Sequence, residues 1–170
     1  KNANLHKTTL DKFDELSEKD NRAFCREISF MRGKMLGFIE GNHLWVKQDG
    51  KNSTEDLAER MGSESLGWLC HYTLNFEFPN GSSVNVYVVA CHGKAGGKTA
   101  GNSINQVDQL RNIFPASDIL IMGHDHERWA RPIDVLIPTT ARGGVKLRQK
   151  RQMLCRSGAF LKGYVDGVAS

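Results

Sequence analysis

Two periodicities of hydrophobic and polar positions run along the chain, one typical of helices and one typical of strands. Residues 8–32 carry apolar side chains at intervals of three, four and eight, which predicts one or two amphipathic helices. Residues 102–114 show helical spacing again and predict a further helix. A polar helix is expected at residues 54–61, with Ser53 as its N-cap and Asp56 at the third helical position.

The strand pattern occupies most of the remaining chain. The apolar run "KMLGFIE" at 34–40 predicts a buried strand, and two alternating segments around "PNG" predict a hairpin whose second strand covers 84–91. Residues 118–122 predict another short strand, and "IDVLIP", "GGVKLRQKRQMLC" and "GAFLKGYV" predict antiparallel strands from Arg131 onward. Helices and strands that alternate in this way indicate a layered α/β fold with sheets covered by helices.

Composition limits the class of protein without identifying it. The chain has 170 residues, 39% hydrophobic and 25% charged, which suits one globular domain spanning residues 1–170. The net charge of +4 permits an anionic substrate but is small for a nucleic-acid-binding stripe. The four cysteines form no CxxC pair, so reduced thiols in a cytoplasmic protein are expected. Since no apolar run approaches about 20 residues, no membrane partner is expected.

The segment "GKAGGKT" at 93–99 is similar to a nucleotide-binding phosphate loop. That loop requires G-x-x-x-x-G-K-[ST], because four intervening residues let the backbone amides surround a phosphate. Here only three residues separate Gly93 from Gly97, and His92 stands where the first glycine should be. The segment "AGNS" also follows the Lys98–Thr99 pair before helical periodicity resumes. The pattern therefore favours His92, rather than the lysine, as the functional residue.

Four histidines follow predicted strands directly. They lie in "IEGNH", "ACHGK" and "IMGHDH", and they are His43, His92, His124 and His126. Neutral imidazole binds Zn, Fe, Ni and Mn, and the amide oxygen of Asn42 suits a hard cation. We expect the side chains of Asn42, His92, His124 and His126 to converge on a common cleft.

In order and spacing, "GNH", "ACHGK" and "GHDH" resemble the last three motifs of the calcineurin-like metallophosphoesterases, and "GHDHERWARP" resembles members from phages and mobile elements. The resemblance implies a four-layer α/β/β/α sandwich. It also implies phosphoester hydrolysis by a hydroxide that two divalent metal ions (Mn, Fe, Zn or Ni) activate. Asn42, His92 and His124 would bind the second metal, and His126 the first. His43 would be the catalytic residue that contacts the phosphate and serves the leaving oxygen.

The chain departs from that pattern in two places. The D-x-H and G-D-x-x-D motifs, which carry the carboxylate that bridges the metals, are absent, and "NLH" has Asn4 in place of the aspartate. Because the chain starts at Lys1, we expect a fragment that is incomplete at its N-terminus; a catalytically inactive metal- or phosphate-binding module is the alternative. In addition, Leu44 stands where the family often has an acid, for which Glu40 or Asp49 could substitute.

The substrate class follows only weakly from the sequence. The basic balance and the resemblance favour a phosphodiester or nucleic-acid-like substrate over a monoester. The basic run "KLRQKRQ" at 146–152 alternates like one exposed face of a strand, and a nucleic-acid contact is the alternative interpretation.

Overall fold

The structure is a computed structural model, which describes residues 2–94, 100–141 and 143–158. The chain divides into two compact units, Lys1–Leu69 and Cys70–Ser170, and each is described by itself. Whether the whole chain is the single domain that composition suggests stays a prediction. No helix among the described residues is long and apolar enough to cross a membrane.

The first unit is built from helices. Helix α1 spans Asn2–Glu27, a short 3-10 turn spans Ser29–Met31, and α2 spans Ser53–Met61. These bounds confirm the predicted helices. The prediction of a strand at 34–40 is wrong, because only an isolated bridge between Phe38 and Ser65 forms there. Its partner segment turns at Gly67, where φ is +67°, so the pairing does not extend into a ladder.

The N-terminus of α2 also differs from the expectation by one residue. The side chain of Asn52, not Ser53, accepts hydrogen bonds from the backbone N–H groups of Thr54 and Glu55, at 2.9 and 2.8 Å. The carboxylate of Glu55 in turn accepts from the Asn52 N–H group at 2.8 Å, which completes a capping box. The Ser53 hydroxyl instead accepts from the backbone N–H of Trp45. Tertiary contact with Trp45 therefore decides which of two adjacent polar residues forms the cap.

A buried polar network joins α1 to α2. The carboxylate of Asp56, which is only 6% exposed, accepts hydrogen bonds from Arg60 at 2.8 Å and from Asn21 at 2.9 Å. The buried ammonium of Lys47 lies 3.4 Å from Asp56 and 3.6 Å from Glu18. Every charge in this network faces an opposite charge, as burial requires.

The second unit contains one five-stranded sheet within its described residues. In chain order its elements are β1 Leu69–Glu77, β2 Ser83–Cys91, α3 Ala100–Ile113, β3 Ile119–Met122, β4 Arg128–Ala141 and β5 Gly144–Ser157. The strand order is β1-β2-β3-β5-β4, in which β2, β3 and β5 run parallel and β4 runs antiparallel to β5. The predicted hairpin, the helix at 102–114, the strand at 118–122 and the antiparallel pair are confirmed. Most of "GAFLKGYV" lies outside the described residues.

Helix α3 covers one face of this sheet. Val89, Leu120 and Leu154 lie side by side on β2, β3 and β5, and the α3 residues Val107 and Leu110 pack against them. All five are buried because a parallel sheet connected through a helix is covered on that face. The α/β class is confirmed, and the four-layer sandwich stays a prediction.

Candidate metal centre

The centre is built at the carboxyl ends of two adjacent parallel strands. Strand β2 ends at Cys91 and β3 at Met122, and these two residues are paired in register. His92 follows β2 directly, and His124 follows β3 after one glycine. Side chains at the carboxyl ends of neighbouring parallel strands meet at one edge of the sheet, where α/β proteins bind ligands.

The structure brings these two histidines into direct contact. The Nε2 atom of His92 lies 2.9 Å from the Nδ1 atom of His124, and the ring planes are nearly perpendicular at 89°. Both side chains are half-buried. The expectation that His92 and His124 meet in one site is therefore supported by their geometry.

His124 has an unusual backbone conformation. Its φ of +67° makes it the one non-glycine residue with a positive φ in the described part of the chain. The left-handed region costs a residue with a Cβ atom about 1–2 kcal/mol. The turn is held by hydrogen bonds on either side, from the Gly123 N–H to the Cys91 carbonyl at 3.0 Å and from the Asp125 N–H to the Gly123 carbonyl at 2.8 Å. Strain of this kind is commonly found where a functional side chain must be aimed.

A glycine beside His92 allows the two loops to approach each other. Gly93 has a φ of +80°, and a Cβ atom at this position would lie 2.5 Å from Cγ and 2.8 Å from Sδ of Met122. A larger residue there would have to displace the Met122 side chain and would also be strained by the positive φ. The glycine therefore serves the close approach of the loops that carry His92 and His124.

Arg156, at the end of β5, supports this site and was not identified from the sequence. Its side chain is only 2% exposed. It donates hydrogen bonds to the Gly123 carbonyl at 2.6 Å, and to the Gln106 side chain at 2.8 Å and the Ser103 carbonyl at 3.3 Å, both on α3. Its Nε atom is one of two buried side-chain polar atoms in the described residues that have no partner. One guanidinium thus fixes the loop that carries His124 to the sheet and to the helix.

A signal for Arg156 was present in the sequence. Alternation along β5 places it on the same face as the buried Leu154 and Gln152, so an inward-facing arginine could have been identified. Burial lowers the pKa of the Arg156 guanidinium, although the charges of Asp125, Cys91 and Glu127 oppose this effect.

The other predicted site residues are distributed as follows. Asn42 and His43 lie in an exposed loop of the first unit, with the Asn42 Nδ2 atom 3.5 Å from the His43 Nε2 atom. His126 lies in the second unit, two residues after His124, and is exposed. Their convergence with His92 stays a prediction. No group of three or more His, Cys, Asp or Glu side chains suited to a metal ion occurs within the described ranges.

The His92–His124 pair fits two adjacent ligands of one metal ion. Metal–nitrogen bonds are about 2.0–2.1 Å, so two nitrogens in neighbouring positions of an octahedral or tetrahedral site lie about 3 Å apart. The observed 2.9 Å is the length of a hydrogen bond between the two imidazole nitrogens, and it is also close to this separation. The nearby thiol is a poor ligand, because burial raises the pKa of Cys91, although the charge of Arg156 lowers it. The two imidazole nitrogens are donors of the kind that suits Mn, Fe, Zn or Ni.

The glycine-rich segment can be assessed only in part. Residues 95–99 lie outside the described residues. Because α3 begins at Ala100, "AGNS" belongs to the helix, and the expectation that it separates the Lys98–Thr99 pair from the helix is wrong. The spacing argument is unchanged, since Gly93 and Gly97 are still separated by three residues.

Comparisons with protein-family models, with curated proteins and with solved structures found no match to this chain. The geometry of the His92–His124 pair is therefore the basis of the functional proposal.

Proposed function

We propose that this chain is a metal-dependent phosphoester hydrolase of the calcineurin-like class, with the four-layer α/β/β/α arrangement of that class. The observation that carries the proposal is the His92–His124 contact of 2.9 Å at the carboxyl ends of β2 and β3. The strained φ of His124 supports it, because this conformation aims the imidazole at His92 at a cost in folding free energy.

In this proposal His92 and His124 bind one divalent ion together with Asn42, and His126 binds the other. Bound divalent ions would neutralise phosphate charge and lower the pKa of a water molecule. Gly93 and Gly123 let the loops that carry His92 and His124 approach each other, because a Cβ atom would lie 2.5 Å from Met122 Cγ at Gly93 and 3.4 Å from the His92 carbonyl oxygen at Gly123. His43 is proposed to contact the phosphate and to give a proton to the leaving oxygen, a step worth about 10²–10⁴-fold in rate.

A non-catalytic metal- or phosphate-binding module is the second candidate. It is favoured by the lack of a D-x-H or G-D-x-x-D motif in the sequence and by the lack of a cluster of three metal-ligating side chains in the part of the chain that the structure describes. Without a carboxylate bridge, the histidine pair can still bind an ion. Metal binding is compatible with both candidates, and turnover distinguishes them.

The test is hydrolysis of bis-p-nitrophenyl phosphate in the presence of Mn²⁺, made on the natural protein. We expect Mn²⁺-dependent turnover that His92→Ala and His124→Ala abolish and that His71→Ala retains, since His71 lies on β1 outside the pair. Metal binding without turnover would favour the module. An absence of both metal binding and phosphate binding, measured by calorimetry, would contradict both candidates.

A further inference from the structure

A groove with a volume of about 500 Å³ lies at the end of the parallel strands opposite the histidine pair. Asn85 lies near the start of β2, and Asp118 immediately precedes β3. The residues that matter for its chemistry are Asn85, Tyr87, Asp118, Arg148, Lys150 and Arg151. We call this surface the basic groove. Its volume is within the range of ligand sites, about 300–1,000 Å³.

One wall of the basic groove is a two-stranded ribbon. Strands β4 and β5 pair along their whole length, from Arg128↔Ser157 to Ala141↔Gly144, whereas β3 pairs only with Met153–Arg156 of β5. Residues 144–152 of β5 therefore extend past the parallel strands and have β4 as their partner. Alternation along β5 places Lys146, Arg148 and Lys150 on one face, about 6.6 Å apart from one to the next.

The cations of the basic groove differ in how they are paired. Lys150 forms an ion pair with Asp118 at 2.9 Å, and Arg151 forms one with Asp134 at 2.9 Å. Arg148 is exposed and forms no ion pair with any described residue. Because Asp118 and Asp134 neutralise Lys150 and Arg151, Arg148 carries the unbalanced positive charge of the groove, and its guanidinium is available to bind an anion.

An aromatic ring lies beside these charges. Tyr87 is 37% exposed, and its ring is stacked on that of His71 with the centroids 6.2 Å apart and the planes at 10°. The Lys150 ammonium lies 5.8 Å from the Tyr87 ring centroid. Asp118 fixes the tyrosine backbone, because its side chain accepts from the Tyr87 N–H and its own N–H donates to the Tyr87 carbonyl, both at 2.8 Å. The ring is therefore presented on a rigid support.

We propose that the basic groove binds single-stranded nucleic acid, with Arg148 contacting a phosphate group and Tyr87 stacking on a base. The groove holds an exposed ring and a guanidinium that forms no ion pair with any described residue, and this combination suits single strands, whose bases have free faces. A duplex offers no such faces except at its ends. This site does not depend on the hydrolase proposal, because it lies at the other end of the strands and uses none of the histidines of the metal centre.

The experiment is fluorescence anisotropy with a labelled oligothymidylate of about ten nucleotides, in buffer that contains EDTA. We expect Arg148→Ala to weaken binding about 3- to 10-fold at about 100 mM salt and to reduce the slope of log affinity against log salt by about 0.7. Tyr87→Ala should weaken binding at least about fivefold, whereas Tyr87→Phe should keep most of the affinity. Arg22→Ala, which removes an exposed arginine from α1, is the matched control and should leave affinity unchanged.

Several outcomes would overturn the proposal. These are no binding of the oligonucleotide, equal affinities of Arg148→Ala and Arg22→Ala, or equal affinities of Tyr87→Ala and Tyr87→Phe. Tighter binding of a matched duplex than of the single strand would also overturn it. EDTA removes divalent metal ions, so oligonucleotide binding is measured without a metal ion at the histidine pair. A failure of oligonucleotide binding is therefore distinguishable from a failure of metal-dependent hydrolysis.

Discussion

The Nη1 atom of Arg156 donates a 2.6 Å hydrogen bond to the carbonyl oxygen of Gly123, the residue that precedes His124. The second Nη atom of Arg156 binds α3 through Gln106 and Ser103. The arginine therefore connects three elements, the end of β5, the loop after β3 and the first turns of α3, beneath the histidine pair.

We predict that Arg156→Met and Arg156→Lys each lower the free energy of unfolding by about 2–4 kcal/mol. The Gly123 carbonyl and the Gln106 side chain lose their donor in the methionine variant, and lysine cannot reproduce the forked geometry. Urea denaturation measures the effect. The control is Arg148→Met at an exposed position, and its free energy of unfolding should stay within about 0.5 kcal/mol of that of the natural chain.

A second measurement separates positioning from stability. If Arg156 positions His124, folded Arg156→Lys protein should bind Co²⁺ about tenfold more weakly than the natural chain, by analogy with other groups that orient metal ligands. Unchanged Co²⁺ affinity would limit Arg156 to a structural role.

The backbone of His124 gives a prediction that is independent of metal binding. With φ at +67°, glycine at this position avoids a steric cost that alanine retains. We expect His124→Gly to be at least about 1 kcal/mol more stable to urea than His124→Ala. The reverse order would mean that the loop relaxes out of the left-handed conformation when the imidazole is removed.

Gly93 gives a steric test of the approach between the two loops. A Cβ atom there would lie 2.5 Å from Met122 Cγ, so Gly93→Ala should cost about 1–3 kcal/mol of stability. Gly81→Ala is the matched control, because Gly81 also has a φ of +80° but nothing lies within 4 Å of a Cβ atom there. The control measures the backbone cost alone, and Gly93→Ala should be more destabilising in the same thermal unfolding measurement. Equal effects of the two substitutions would contradict the close contact with Met122.

The network at Asp56 predicts a loss of stability in acid. Burial raises the pKa of Asp56, but hydrogen bonds from Arg60 and Asn21 and the charges of Arg60 and Lys47 outweigh it and hold the pKa at about 2. Because this value lies below the unfolded value of about 3.9, the stabilisation is complete above about pH 5 and is lost as the pH falls towards 2.

Urea denaturation of the natural chain and of Asp56→Asn at several pH values measures that loss. Between about pH 5 and pH 2 the natural chain should lose about 1–2 kcal/mol more than the variant. The control is Asp20→Asn on the exposed surface of α1, which should lose as much free energy of unfolding over this pH range as the natural chain. Parallel curves for the natural chain and Asp56→Asn would show that the network does not stabilise the carboxylate.

The sequence predicted those elements whose pattern is local. Helix α1, α3, the hairpin around residues 78–82 and the β4–β5 pair were all predicted, because side-chain periodicity and turn residues depend on neighbours along the chain. The segment at 34–40 has a strand pattern but forms only one bridge, since pairing requires a straight partner strand and Gly67 turns away. Similarly, Ser53 and Asn52 are equivalent caps by residue type, and the contact with Trp45 decides between them.

By itself the sequence determined an α/β fold and placed His92 and His124 just after strands, because apolar runs that end in glycine and histidine are readable from neighbouring residues. Only the tertiary structure decided that β2 and β3 are adjacent and parallel, which brings two nitrogens separated by 32 positions in the chain to within 2.9 Å of each other. It alone placed Arg156 in contact with the loop that carries His124, and Arg148 in the same groove as Tyr87. The physical reason is that strand order and side-chain burial depend on contacts between distant segments, and no local pattern encodes them.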